Sequence, residues 1–138
     1  MRSVILDSEA LSQLARRQGR SLSKVQAALR AAQRHDVDVF VPAAVLAEQY
    51  RGGRHNQTVD ACLGRHSGIE VRDTDRALAK TIGGLLASVG LGSEHHVDAA
   101  VVACAVAAGG GLILTSDPDD ITRIAGSLAG VSITIEQV

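Results

Sequence analysis

The sequence has almost no aromatic residues: Phe40 and Tyr50 are the whole set, and tryptophan is absent. Proteins that read bases by stacking need aromatic platforms. An RNA-recognition or OB-type stacking surface is therefore not expected. Excess charge is missing too, with 14 Lys+Arg against 15 Asp+Glu and a net charge of −1. The chain does not coat nucleic acid by bulk attraction, so any contact with a polyanion comes from local patches. Cysteine is scarce. Cys62 and Cys104 sit in apolar helical contexts without metal-ligand spacing, and both read as reduced core residues of a cytosolic protein. A signal peptide is not expected, because Asp7 arrives too early. A membrane helix is not expected either. The uncharged stretch from Ala99 to Thr115 is interrupted by Gly109-Gly110-Gly111 and falls short of the ~20 apolar residues a span requires.

What is present suffices for one ordinary folded domain over residues 1–138, with 46% hydrophobic and 21% charged residues. That length buries a real core without disulfides or a structural metal. No linker or internal repeat divides it. Val4-Ile5-Leu6 reads as a short strand ending at Asp7, and Ser8 to Arg17 as a helix with Ala10, Leu11 and Leu14 on one face. A second helix starts near Ser21 or Ser23, with the stripe Leu22, Val25, Ala28, Leu29 and Ala32. Val37 to Val41 is β-branched and reads as a strand. Pro42 suits the first turn of the next helix, which carries Val45, Leu46 and Glu48 and ends at Arg51-Gly52-Gly53-Arg54. A helix from Asn56 to about His66 and a strand around Ile69-Glu70-Val71 follow. Thr74 or Asp75 then caps a helix bearing Leu78, Ile82, Leu85, Leu86 and Val89. Val97 to Ala108 is almost wholly apolar and reads as a buried helix. Leu112 to Thr115 is a strand, Ser116 to Asp120 turn into a short helix, and Val131 to Ile135 alternate as a closing edge strand.

Strands separated by helices predict an α/β fold, a parallel sheet with helices on both faces. Ligands in such sheets bind beyond the carboxyl ends of the strands. Asp7 and Asp117 directly follow strands, Glu48 lies on the helix after the second strand, and Asp98 opens the buried helix. Asp7 and Asp117 also read as simple helix caps, and Glu48 as a solvated helix residue. Asp98 is harder to place that way. It is the one charged residue between His96 and Asp117, on a helix where a carboxylate is costly unless paired, hydrogen-bonded or bound to a cation. Four carboxylates at one rim repel one another until a proton or a divalent cation relieves them. An oxygen-only donor set suits Mg2+ or Mn2+ and not Zn2+. Such cations serve phosphate chemistry, often as a pair about 3.5–4 Å apart.

Four segments in this order resemble the PIN-domain family, and within it the VapC-type toxins: Val4-Ile5-Leu6-Asp7-Ser8, Pro42 to Glu48, Val97 to Ala103, and Leu114-Thr115-Ser116-Asp117-Pro118-Asp119-Asp120. The resemblance covers essentially the whole chain. It implies a three-layer α/β/α sandwich with a mostly parallel central sheet. It also implies a Mg2+- or Mn2+-dependent endoribonuclease that hydrolyses RNA phosphodiesters as the toxin of a toxin–antitoxin pair. Asp7 and Asp98 would hold the ion most directly, with Glu48 and Asp117 completing the cluster, and Asp119 or Asp120 would supply a further acidic ligand. Ser8 matches the small hydroxyl residue usual after the first Asp, while Glu9 stands where the family often has Asn. The resemblance further implies a homodimer held in check by a cognate antitoxin, with the segment Ser21 to Arg34 a candidate for its groove.

Arg51, Arg54 and His55 lie just beyond Glu48 and read either as RNA-backbone contacts or as a solvated turn. Arg16, Arg17, Arg20 and Lys24 read as solvated face ahead of an RNA site, and His95 and His96 as loop or capping residues ahead of a zinc site, since no Cys or third ligand is spaced for one. A phosphoaspartyl phosphatase of the haloacid-dehalogenase type wants Asp at position 9, where Glu9 stands. A receiver domain needs a lysine after a late strand, and the lysines are Lys24 and Lys80. A silent PIN-like scaffold that binds a partner or RNA is the non-enzymatic alternative.

Overall fold

In the computed structural model, described over residues 2–126 and 128–138, five strands form one sheet in the order β3-β2-β1-β4-β5. They are β1 (Ser3–Leu6), β2 (Asp38–Pro42), β3 (Ile69–Arg72), β4 (Gly111–Thr115) and β5 (Ile133–Gln137). Every pairing is parallel, so the sheet is wholly rather than mostly parallel. The helices are α1 (Ser8–Arg16), α2 (Leu22–Arg34), α3 (Ala43–Gln49), α4 (Gly53–Arg65), α5 (Arg76–Ser88), α6 (His96–Ala107) and α7 (Pro118–Ala125). Crossovers between parallel strands are right-handed. The chain winds outward from β1 to β2 and β3, then returns past β1 to β4 and β5. This places α1 and α2 on one face and α5, α6 and α7 on the other. The winding direction reverses between β1 and β4, which is where sheets of this kind open a crevice.

The element pattern explains this arrangement. β1 and β4 are buried along their whole length, as central strands covered on both faces must be. Helix α6 is apolar all round and buried from Ala99 to Ala105, packed against the sheet and between α5 and α7. Helix α5 begins at Asp75, whose carboxylate accepts the Leu78 N–H at 2.8 Å, the stronger of the two caps expected there. Cys62 and Cys104 are free and buried, as the sequence indicated.

Several boundaries differ from expectation. Helix α4 starts at Gly53, not Asn56, because Gly52 and Gly53, at φ +86 and φ +52, make the turn together. Pro42 closes β2 and precedes α3 rather than lying in its first turn. The closing strand runs from Ile133 to Gln137, in register with β4 up to the pair Thr115–Gln137. Pairing with β4, not the local alternation, sets its limits. No helix among the described residues is long and apolar enough to cross a membrane.

Candidate metal centre

β1 and β4 end side by side, and their last pairing continues through the Asp7 N–H to the Leu114 carbonyl at 3.0 Å. Asp7 is therefore fixed at the carboxyl rim, only 6% exposed. Its two oxygens have separate partners. Oδ1 accepts the Ser8 N–H at 2.7 Å and Oδ2 accepts the Thr115 hydroxyl at 2.6 Å. The Thr115 oxygen in turn accepts the Asp117 N–H at 3.0 Å. One hydroxyl thus ties the ends of β1 and β4 together. Thr115 belonged to the segments that suggested the family, yet nothing in its residue type singled it out. Only the pairing of two strands more than a hundred residues apart puts it on Asp7.

Asp7 is the N-cap of α1, as one reading had it, and its carboxylate is buried. Asp117 is the N-cap of α7, where the Asp120 N–H pulls its carboxyl down without a full side-chain capping bond. Glu48 is exposed on α3, but its Oε1 accepts the Ser8 hydroxyl at 2.6 Å. Ser8 thereby holds α3 to the start of α1 and keeps Glu48 beside Asp7. Asp98 stands in the first turn of α6 with its side chain 21% exposed.

The electrostatics show that these groups share one field. Burial pushes Asp98 up to about 6, with further upward push from Asp7, Asp117 and Asp120 and a small downward pull from His95. Asp7 is also raised. Burial outweighs the bonds from Thr115 and Ser8, and Glu48 and Asp117 add to the upward push. Asp117 is raised by partial desolvation and by Asp120 and Asp119. Because Asp117 is an exposed residue, its carboxylate neighbours are the weightier cause. Of the two acidic residues in the first turn of α7, Asp120 is half-buried and acts on Asp98, whereas Asp119 is exposed. Donor atoms of His95, Asp98 and Asp120 all lie within 4.8 Å of one another.

The basic residues divide. Arg51, Arg54 and His55 line a cleft of about 350 Å³ that runs up to Glu48. Arg16, expected on a solvated face, lines the same cleft and pairs with Glu9 at 3.4 Å. Lys24 lies elsewhere and donates to the Gln137 carbonyl. A larger cavity of about 450 Å³, between Leu29, Val37, Ile69 and His66, opens at the amino ends of β2 and β3, away from the carboxylates. We assign it no part in this chemistry. What the carboxyl rim can do is hold a divalent cation: all but one of its donors are carboxylate oxygens, and their mutual repulsion is what such an ion relieves.

A family model described as PIN domain matches residues 4–127. Among curated proteins, none matches the sequence. Solved structures do. The chain superposes on VapBC2 from Rickettsia felis, bound to a DNA fragment from its promoter, with a TM-score of 0.69 at 16% identity, covering 99% of this chain and 98% of that one. DNA-bound VapBC from Salmonella typhimurium gives 0.65 at 19% identity, again covering 99% and 98%. At such identities the likeness concerns the fold.

Proposed function

The chain belongs to the PIN-domain family, and from that premise we propose that it is a divalent-cation-dependent endoribonuclease acting as the toxin of a toxin–antitoxin pair. The observation that carries this reading is the convergence at the carboxyl ends of β1 and β4, where Thr115 joins Asp7 to the Asp117 backbone and donor oxygens of Asp98 and Asp120 lie within 4.8 Å of each other. In the proposed site Asp7 and Asp98 hold Mg2+ or Mn2+, and Glu48, Asp117 and Asp120 complete the cluster. Asp120 is preferred to Asp119 because it is half-buried and faces Asp98. The cation, when bound, supplies positive charge for the scissile phosphate and acidifies the attacking water.

The chain's own groups do the positioning. The Thr115 hydroxyl and the Ser8 N–H fix both oxygens of Asp7, so the carboxylate is aimed before a ligand arrives. The Ser8 hydroxyl does the same for Glu48. Arg51 and Arg54, with Arg16, offer guanidinium groups to RNA phosphates along the cleft that meets Glu48. Base stacking contributes little, since aromatics are nearly absent. The likeness to VapBC complexes supports a cognate antitoxin, and the family supports a homodimer. A groove beside α2 suits the antitoxin: Leu22 and Leu29 are only partly buried there, and Leu22 borders a cleft with Leu14 and Gln26.

Cleavage of total RNA by antitoxin-free protein, with Mg2+ and with EDTA, tests the reading. Cleavage that needs the cation and disappears in Asp98→Asn supports it. Well-folded protein that cuts no RNA with Mg2+ or Mn2+ favours the non-enzymatic scaffold.

A further inference from the structure

One donor in the cluster is not an oxygen. His95 closes a turn of 3-10 helix (Ser93–His95) that runs directly into α6. Asp98 follows three residues later, so both side chains fall on one face of the helix start. His95 Nδ1 lies 3.8 Å from Asp98 Oδ2, beyond hydrogen-bond reach. Asp120, from the first turn of α7, brings a carboxylate oxygen into the same group, with all three donors within 4.8 Å of one another. Donors around an octahedral cation stand about 3 Å apart at right angles and about 4.2 Å apart across it, given bonds of about 2.1 Å. The observed spread is of that order. All three residues are half-buried, so they are shielded in part from bulk water yet open to an entering ion.

Magnesium takes oxygen ligands and sheds its water reluctantly. Imidazole nitrogen suits first-row transition cations. We propose that His95 is a metal-selecting ligand, its Nδ1 joining Asp98 and Asp120 so that the cluster prefers Mn2+ to Mg2+. This rests on the metal site proposed above and names the cation that site takes. A purely electrostatic partnership, in which His95 only offsets the charge of Asp98, makes no such distinction.

The test uses the whole chain freed of metal with EDTA, beside His95→Gln and His95→Asp, each checked for folding by circular dichroism. Mn2+ affinity is read by electron paramagnetic resonance, Mg2+ affinity by its displacement of Mn2+, and nitrogen ligation by 14N modulation in the pulsed spectrum. The wild-type chain should show 14N modulation that both variants lose. The preference for Mn2+ over Mg2+ should fall about 10-fold in each. If His95→Gln fails to fold, His95→Asp, which puts a carboxylate oxygen in place of the imidazole nitrogen, carries the comparison. Bound Mn2+ without 14N modulation, or an unchanged preference in a folded variant, overturns the assignment of His95 and leaves the acidic site standing. A wild-type chain that binds neither cation overturns the metal site itself and the role of His95 with it.

Discussion

The two rims of the sheet treat polar groups in opposite ways. At the amino rim, where β1 and β4 begin, Ser3 is fully buried and its hydroxyl donates to the Gly110 carbonyl at 2.9 Å. Gly110 has φ +114, and a Cβ there would lie 2.5 Å from the Ser132 carbonyl oxygen. Chain meets chain closely, and the buried polar side chain there, Ser3, is neutral and paired. At the carboxyl rim the same two strands end beside each other, but the groups that meet are carboxylates. Thr115 and Ser8 satisfy Asp7, and among the described residues no buried side-chain nitrogen or oxygen lacks a partner. Hydrogen bonds nevertheless do not cancel like charge. Asp7, Asp98 and Asp117 are all raised from the ordinary carboxylate value, Asp98 to about 6. One rim is settled by the fold itself, while the other keeps like charges together, which is the usual trade of stability for function.

The largest effect that would sharpen this contrast is on catalysis. Asp98→Asn should lower RNA cleavage at least about 100-fold, the order lost when one charge-organising group leaves an active site, as measured by initial rates on a defined RNA. At the other rim, Gly110→Val places a β-branched residue at positive φ and against Ser132. Urea unfolding should show a loss of about 3 kcal/mol, with cleavage per folded molecule unchanged. Equal losses of activity and stability in both variants would erase the distinction between the rims.

Thr115→Val removes the hydroxyl that aims Asp7. Calorimetry should show cation binding weakened about 10-fold with the sheet intact. The smallest effect is on pH dependence without metal. Asp98 rises from 3.8 to about 6 on folding, so between these values the native chain binds more protons than the unfolded one, and stability falls as pH rises. The penalty is absent below about pH 4 and complete somewhat above pH 6. In EDTA, the melting temperature of wild type relative to Asp98→Asn should therefore drop by about 5 °C from pH 4.5 to 7.5. Saturating Mn2+ or Mg2+ should remove that difference for the wild type.

Much of this was legible in the chain itself, though unevenly. The run Val97 to Ala108 is too apolar to be anything but a buried helix, and Asp98 stood out because it alone is charged there. Asp7 and Asp117 were found because each follows a β-branched or leucine-rich strand. Thr115 and His95 were not marked as site residues, because a threonine at a strand end and a histidine in a turn are ordinary. Their weight comes from a partner: Asp7 for Thr115, and Asp98 with Asp120 for His95. Arg16 was assigned to a solvated face on the strength of its basic neighbours. It lines the cleft because α1 packs beside α3 and α4. Asp119 and Asp120 could not be told apart in sequence. The 100° turn between consecutive helical residues turns one toward Asp98 and leaves the other exposed.

The sequence by itself determined the order and type of the elements, since helical and strand periodicities are local and the apolar content is ample. It also determined that carboxylates follow the strands, because that is a matter of adjacency in the chain. Tertiary structure alone decided which carboxylates share a field, which hydroxyl aims Asp7 and whether an imidazole joins them. Those depend on parallel pairing between β1 and β4 across more than a hundred residues and on two helix starts meeting, and no local pattern encodes a distance in space.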